Sequence, residues 1–261
     1  MNAYYNDRFV TLYCGDCREV LRSINSVPGI RLITDPPYGI NLQPQRCKTD
    51  PIKNDSNRDA KALLHSILPE LDRILPPNSI HLVFAGWSCW WLPEMLSEWF
   101  TIQGAIVWDK LMFGIGYYTR PQFELIWNLH RDNPRRPERP ESNIWQEMRE
   151  QTPEHSCEKP VKLMQRAVQF TEARTVLDPF AGIGSSLVAA KALNRQAIGI
   201  ELEERYCEIA ANRLLQEVFV FDPVSEPATN GELSPVEIFE PCELLKCSRS
   251  LKRSRKSVFA L

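Results

Sequence analysis

The residues with the clearest chemical potential are Thr34-Asp35-Pro36-Pro37-Tyr38-Gly39-Ile40. They follow a mostly apolar run, Ile30 to Ile33, that reads as a short β-strand. The motif therefore sits at a strand's carboxyl end, where open α/β sheets place ligands. Two adjacent prolines have no N–H to donate and a fixed φ, so they stiffen the turn and leave their carbonyls free to accept. A carboxylate, bare carbonyls and an aromatic ring are thus held close together. Such a cluster suits a flat group with an exocyclic NH₂, two acceptors for its hydrogens and a ring to stack on its face. An unpaired adenine or cytosine fits that description. An Asp-Pro-Pro turn by itself can also be only a loop, so the rest of the chain has to decide.

A second constellation lies far along the chain. Thr175-Val176-Leu177 reads as a strand that runs into Asp178-Pro179-Phe180-Ala181-Gly182-Ile183-Gly184-Ser185-Ser186. A helix of small residues follows to Leu193, then a strand from Ala197 to Ile200 that ends at Glu201. Strand, Gly-x-Gly, helix, strand and acidic residue is the pattern of a nucleotide-binding βαβ unit, and Glu201 can accept both ribose hydroxyls. A NAD site is the obvious rival, but Leu187 occupies the place of that fingerprint's third glycine.

Together these motifs resemble the DNA amino-methyltransferases, which move a methyl group from S-adenosylmethionine (SAM) to the exocyclic nitrogen of adenine or cytosine. Asp35, Pro36, Pro37 and Tyr38 match that family's catalytic tetrad. Asp178, Phe180, Ala181, Gly182, Gly184, Ser185 and Glu201 match its SAM-binding motif. Lys159-Pro160, within His155 to Val161, is similar to a segment that lies against the cofactor; Gly15-Asp16-Cys17 is similar to a turn at the SAM adenine. The block from Trp108-Asp109-Lys110 through Gly114 to Tyr117 and on to Glu124 resembles another stretch of the family. These matches span most of residues 9 to 215.

Their order, catalytic motif first and SAM loop last, is that of the beta group. The resemblance implies an α/β, Rossmann-like SAM-dependent methyltransferase fold, circularly permuted, with a mostly parallel seven-stranded sheet and one antiparallel strand. It also implies a flipped target base, with Tyr38 stacked on it and Asp35 and the Pro36 carbonyl accepting its amino hydrogens. An Asp-first motif points to adenine N6, with cytosine N4 as the alternative.

The surrounding elements must position these groups. Apolar spacing predicts strands over Phe9 to Tyr13, Ile80 to Ala85, Ala105 to Trp108 and Phe123 to Leu129, the last with an alternation that suits an edge or antiparallel strand. Helices are predicted after Cys17, over Ala60 to Leu75, over Pro160 to Phe170 and over Glu203 to Leu215. Trp87, Trp90, Trp91 and Trp99 read as core. The polar segment 41–59 is either a lid beside the site or a plain surface excursion.

DNA contacts are expected from Arg46, Lys48 and Lys53 in that segment, and from Arg131, Arg135, Arg136 and Arg139 in the Arg/Pro-rich stretch that follows the last of those strands. The net charge of −2 gives no global nucleic-acid signal, so any basic patch is local.

Residues 1–221 read as the methyltransferase domain, with a small recognition insertion at about 109–158. Residues 222–261 read as a disordered tail, acidic and then basic. The histidines and cysteines do not group into a metal site, so none is expected. No signal-peptide core or long apolar run occurs, so a cytoplasmic location is expected. Expected partners are double-stranded DNA, a second copy of the chain and a restriction endonuclease; no membrane contact is expected. A NAD-dependent oxidoreductase and a non-catalytic DNA-binding protein are the rivals from other classes.

Overall fold

A computed structural model describes residues 2–39, 56–114, 118–136, 140–149 and 158–216. Among these, nine strands form one sheet in the order β1-β2-β9-β8-β3-β4-β6-β5-β7. The five strands at its centre and left, β2 (Val10–Cys14), β9 (Gln196–Glu201), β8 (Thr175–Asp178), β3 (Ile30–Thr34) and β4 (Ser79–Ala85), are mutually parallel. Beyond them β6 (Phe123–Arg131) runs antiparallel between β4 and β5 (Thr101–Asp109). The expected antiparallel strand is therefore an interior one.

The expected count of seven strands is corrected to nine by two short pieces at the margins. β1 (Tyr5–Asn6) pairs with β2, and β7 (Ile144–Gln146) pairs with β5. Two- and three-residue strands carry too few residues for hydrophobic period to register in a sequence.

The first long strand, β2, lies beside the last, β9, in full register from Val10↔Ala197 to Cys14↔Glu201. Chain order and sheet order thus differ as a circular permutation requires.

Helices cover both faces. α1 (Cys17–Ser23), α2 (Asn57–Ile74) and α3 (Trp91–Ser97) bury Val20, Leu21, Leu64, Leu71, Leu92 and Leu96 against one side of the sheet. α4 (Val161–Phe170), α5 (Ser185–Ala192) and α6 (Glu204–Leu215) bury Leu163, Met164, Leu187, Ala190, Ala210 and Leu214 against the other. Alternation along β3 feeds both cores, with Ile30 and Leu32 on the first side and Ile33 on the second.

α2 begins at Asn57, inside the segment expected to be a loop, because Ser56 caps it by accepting from the Asp59 N–H at 3.1 Å. It also carries Pro69 in its interior. No helix among the described residues is long and apolar enough to cross a membrane.

Candidate active site

Because β2, β9, β8, β3 and β4 are parallel, their carboxyl ends share one edge of the sheet. That edge carries Asp16 after β2, Glu201 at the end of β9, the turn from Asp178 to Gly184 after β8, Asp35 to Tyr38 after β3, and Gly86 after β4. β3 and β8 are neighbours, and the Thr34 hydroxyl donates to Asp178 at 2.7 Å, tying the two turns together.

The Asp35 carboxylate keeps 23% exposure and is held from two sides. The Tyr38 hydroxyl donates to its Oδ1 at 2.5 Å, and the Lys159 ammonium donates to its Oδ2. Burial pushes the Asp35 carboxyl above the ordinary carboxylate range while Lys159 pulls it back. The Tyr38 phenol is raised well above its usual value by burial and by the Asp35 and Glu124 charges. Its ring lies against Gly86, where an added Cβ would meet Cδ2 at 2.9 Å, so only glycine leaves room for the tyrosine.

Two residues complete this cluster. Lys159 pairs with Glu124 Oε2 at 3.4 Å as well as with Asp35, and Lys110 pairs with Glu124 Oε1 at 3.3 Å. Burial favours the neutral form of Glu124, but Lys159 and Lys110 outweigh it and leave its pKa lowered.

Lys159, expected against the cofactor, thus has its ammonium engaged at the Asp35 carboxylate. Its neighbour Glu158 fixes it there by pairing with Arg213 of α6 at 2.7 Å and accepting from the Ser185 hydroxyl at 3.2 Å. Glu124 and Lys110 fell inside a recognised block without any assigned role. Their only sequence signal was a charge at the mouth of an apolar strand.

Around the glycine turn the expected residues divide. Gly182 has φ +52° and open space where a Cβ would project, and Gly184 has φ +81° as the N-cap of α5. Glu201 accepts from the Gly182 N–H at 2.9 Å and the Glu203 N–H at 2.8 Å, and burial raises its pKa. A carboxylate offers about four lone-pair sites, so acceptor capacity remains.

Asp178, by contrast, is buried and accepts from Thr34, Ser186 and the Phe180 N–H. Burial pushes it up to about 6. Its oxygens brace the turn. Ser185 is likewise occupied by Glu158 and Arg213. Ala181 is buried, with its N–H donated to the Ile200 carbonyl at 2.9 Å, and Pro160 caps α4. Asp16 caps α1 and pairs with Arg18, which lowers its pKa; the buried Cys17 thiol is pushed up to about 12.

Of the expected DNA contacts, only Arg131, Arg135 and Arg136 fall among the described residues. Arg46, Lys48, Lys53 and Arg139 lie outside the described residues. Arg131 ends β6 opposite Ser79, the first residue of β4, and so stands at the sheet edge opposite Asp35. Its guanidinium donates to the Asp72 carbonyl and to the Leu75 carbonyl at 2.8 Å, and pairs with Asp72 at 3.1 Å. Arg135 and Arg136 are exposed and follow Asn133, which is tied at that same far edge to Asn78. An antiparallel strand delivers the segment after it to the edge its parallel neighbours start from, which puts these three arginines there.

The described segments that follow β5 and β4 at this edge carry exposed aromatic side chains, with Arg120 stacked over Phe113. β5 runs in the same direction as β4, so the stretch after Asp109 emerges beside Tyr38. Phe113 (66% exposed) and Tyr118 (94%) lie on it, and Trp90 (69%) follows β4. Trp87 is also exposed, so the expectation that both tryptophans are core is corrected. Trp91 and Trp99 do pack against the core.

A permuted sheet of this kind, with a nucleotide-type turn beside a Pro-Pro carboxylate turn, defines the Rossmann-like methyltransferase class. The profile of the DNA methylase family matches residues 31–212, and the chain belongs to that family. It is thereby a SAM-dependent DNA methyltransferase of the N6/N4 group. YubD of Escherichia coli K12, named as a methylase, is 29% identical over 206 residues, covering 77% of this chain and 88% of its own. The fold is shared with TTHA0409 of Thermus thermophilus, solved in complex with S-adenosyl-L-methionine (TM-score 0.60, 24% identity, covering 80% of this chain and 95% of that one). It is shared too with the cytosine-N4-specific PvuII DNA methyltransferase (TM-score 0.65, 18% identity, covering 83% and 90%).

Proposed function

We propose that this enzyme methylates N6 of an adenine flipped out of duplex DNA, with the Asp35-Pro36-Pro37-Tyr38 turn as the site of chemistry. The observation that carries this reading is the hydrogen bond from Thr34 to Asp178, which locks the turn to the glycine loop on the neighbouring strand.

The open space over Gly182 and the spare acceptor capacity of Glu201 suit SAM, held by these two with Phe180 and the Asp16 turn. When bound, SAM supplies a methyl group made electrophilic by its sulfonium.

The chain's own residues prepare the nucleophile. Asp35 Oδ1 and the Pro36 carbonyl accept the two amino hydrogens of the base, which localises the nitrogen lone pair and stabilises the positive charge that develops on it. Tyr38 must then give up its bond to Asp35 and present its ring to the base. Transfer is direct, with positioning supplying a large share of the rate. The aspartate at the head of the motif favours adenine over cytosine. The exposed Trp90, Phe113 and Tyr118 replace Arg131, Arg135 and Arg136 as the side chains expected to meet DNA, since aromatic faces stack on bases irrespective of sequence.

Incubation with tritiated SAM and unmethylated DNA, followed by digestion to nucleosides, tests this. Label in N6-methyladenine is expected. Label in N4-methylcytosine overturns the choice of base, and DNA left without label overturns the activity.

A further inference from the structure

The phenol of Tyr38 has two carboxylates within reach. It donates its single proton to Asp35 at 2.5 Å, and its oxygen already lies 3.3 Å from Glu124 Oε2. Substrate entry requires the first of these bonds to break, because the base's amino group needs Asp35. In a buried site a hydroxyl that loses its acceptor and gains none is costly, by an amount worth about tenfold or more in the fraction of productive complex.

Glu124 reaches the site from β6, beyond the strand next to β3, and is 17% exposed. Lys110 grips one of its oxygens and Lys159 the other, so the acceptor is held in place before any substrate arrives.

We propose that Glu124 is a positioning residue that receives the Tyr38 hydroxyl when the target amino group takes Asp35. The hydroxyl moves from one carboxylate to the other, and Asp35 is freed at little cost. No bond to the substrate forms or breaks in this exchange. Only a hydrogen bond changes acceptor. Lys159, shared between the two carboxylates, keeps them from repelling each other while the phenol changes sides. This inference rests on the methyltransferase reading above and assigns a step within it.

The test compares Glu124→Gln with Glu124→Met. Both remove the charge and nearly preserve the shape, but only glutamine keeps an oxygen acceptor. With SAM binding within about twofold of wild type as the check of folding, Glu124→Gln is expected to turn over at least about tenfold faster than Glu124→Met. In the Tyr38→Phe background, where no hydroxyl has to be rehoused, the difference should vanish. Equal activity of the two single variants, or a difference that survives in Tyr38→Phe, overturns the inference.

Wild-type protein that leaves DNA unlabelled would instead refute the parent reading.

Discussion

In the proposed reaction Asp35 must be both ionised and available. Burial raises its pKa and Lys159 offsets this only in part, while the Tyr38 phenol covers the oxygen that the substrate would need. Asp35→Ala removes an acceptor that strengthens as charge develops. Methyl transfer should fall by at least about a hundredfold, while SAM affinity, measured by calorimetry, stays within a few fold. Near-normal turnover would rule out the role.

Gly182 permits a sharper test of the neighbouring turn. Its Cβ position is empty of protein atoms, so Gly182→Ala clashes with nothing in the chain and meets only the left-handed φ, a strain of about 1 kcal/mol. The same methyl would occupy the space assigned to the cofactor. SAM affinity should weaken by about tenfold or more, with only a small loss of Tm; unchanged affinity would move the cofactor elsewhere.

At the scale of elements, β6 decides which loops can touch substrate. Its reversal sets Lys110 and Phe123 at the edge that carries Asp35 and sends Arg131 to Arg136 to the opposite one. Arg131 there ties β6 to the carboxyl end of α2, where unpaired carbonyls need donors. Arg131→Ala should therefore cost about 1–2 kcal/mol of stability in urea unfolding. DNA affinity and its salt slope should remain unchanged, and a slope reduced by about one would restore Arg131 as a phosphate contact.

The paired elements also show why the charged cluster escaped sequence reading. Asp35, Lys110, Glu124 and Lys159 come from four separate segments, and only the sheet order brings them together.

Over the whole molecule, stability should carry a pH signature from His81 in the centre of β4. The ring is fully buried, accepts from the Leu32 N–H through Nδ1 at 3.1 Å, and reaches the Ser79 hydroxyl through Nε2 at 2.8 Å. Burial, with nearby arginines, depresses it to about 3. Between that value and the ordinary 6.5, the unfolded chain binds a proton that the folded one does not. Stability from this group is therefore complete above pH 6.5 and declines as pH falls, by up to roughly 1.4 kcal/mol per pH unit. Asp178, raised to about 6, contributes with the opposite sign between its ordinary 3.8 and that value. The comparison must then be between wild type and His81→Gln across pH 4 to 7. The gap in unfolding free energy should narrow toward the acid end, and a constant gap would contradict a neutral buried imidazole.

Much of the architecture was legible in residue order. The apolar runs, the Pro-Pro turn and the Gly-x-Gly turn act through local covalent geometry and side-chain period, so they marked the long strands and the two turns, and the permuted fold was implied by the family that those motifs resemble. Side-chain fates decided at a distance were not legible. Asp178 turned inward because Thr34 and Ser186 surround it, Trp87 and Trp90 stayed exposed in the turn between β4 and α3, and Arg131 was claimed by α2. Each outcome depends on which strand lies beside which and in what direction. That is settled by contacts between residues far apart in the chain, where local pattern carries no information.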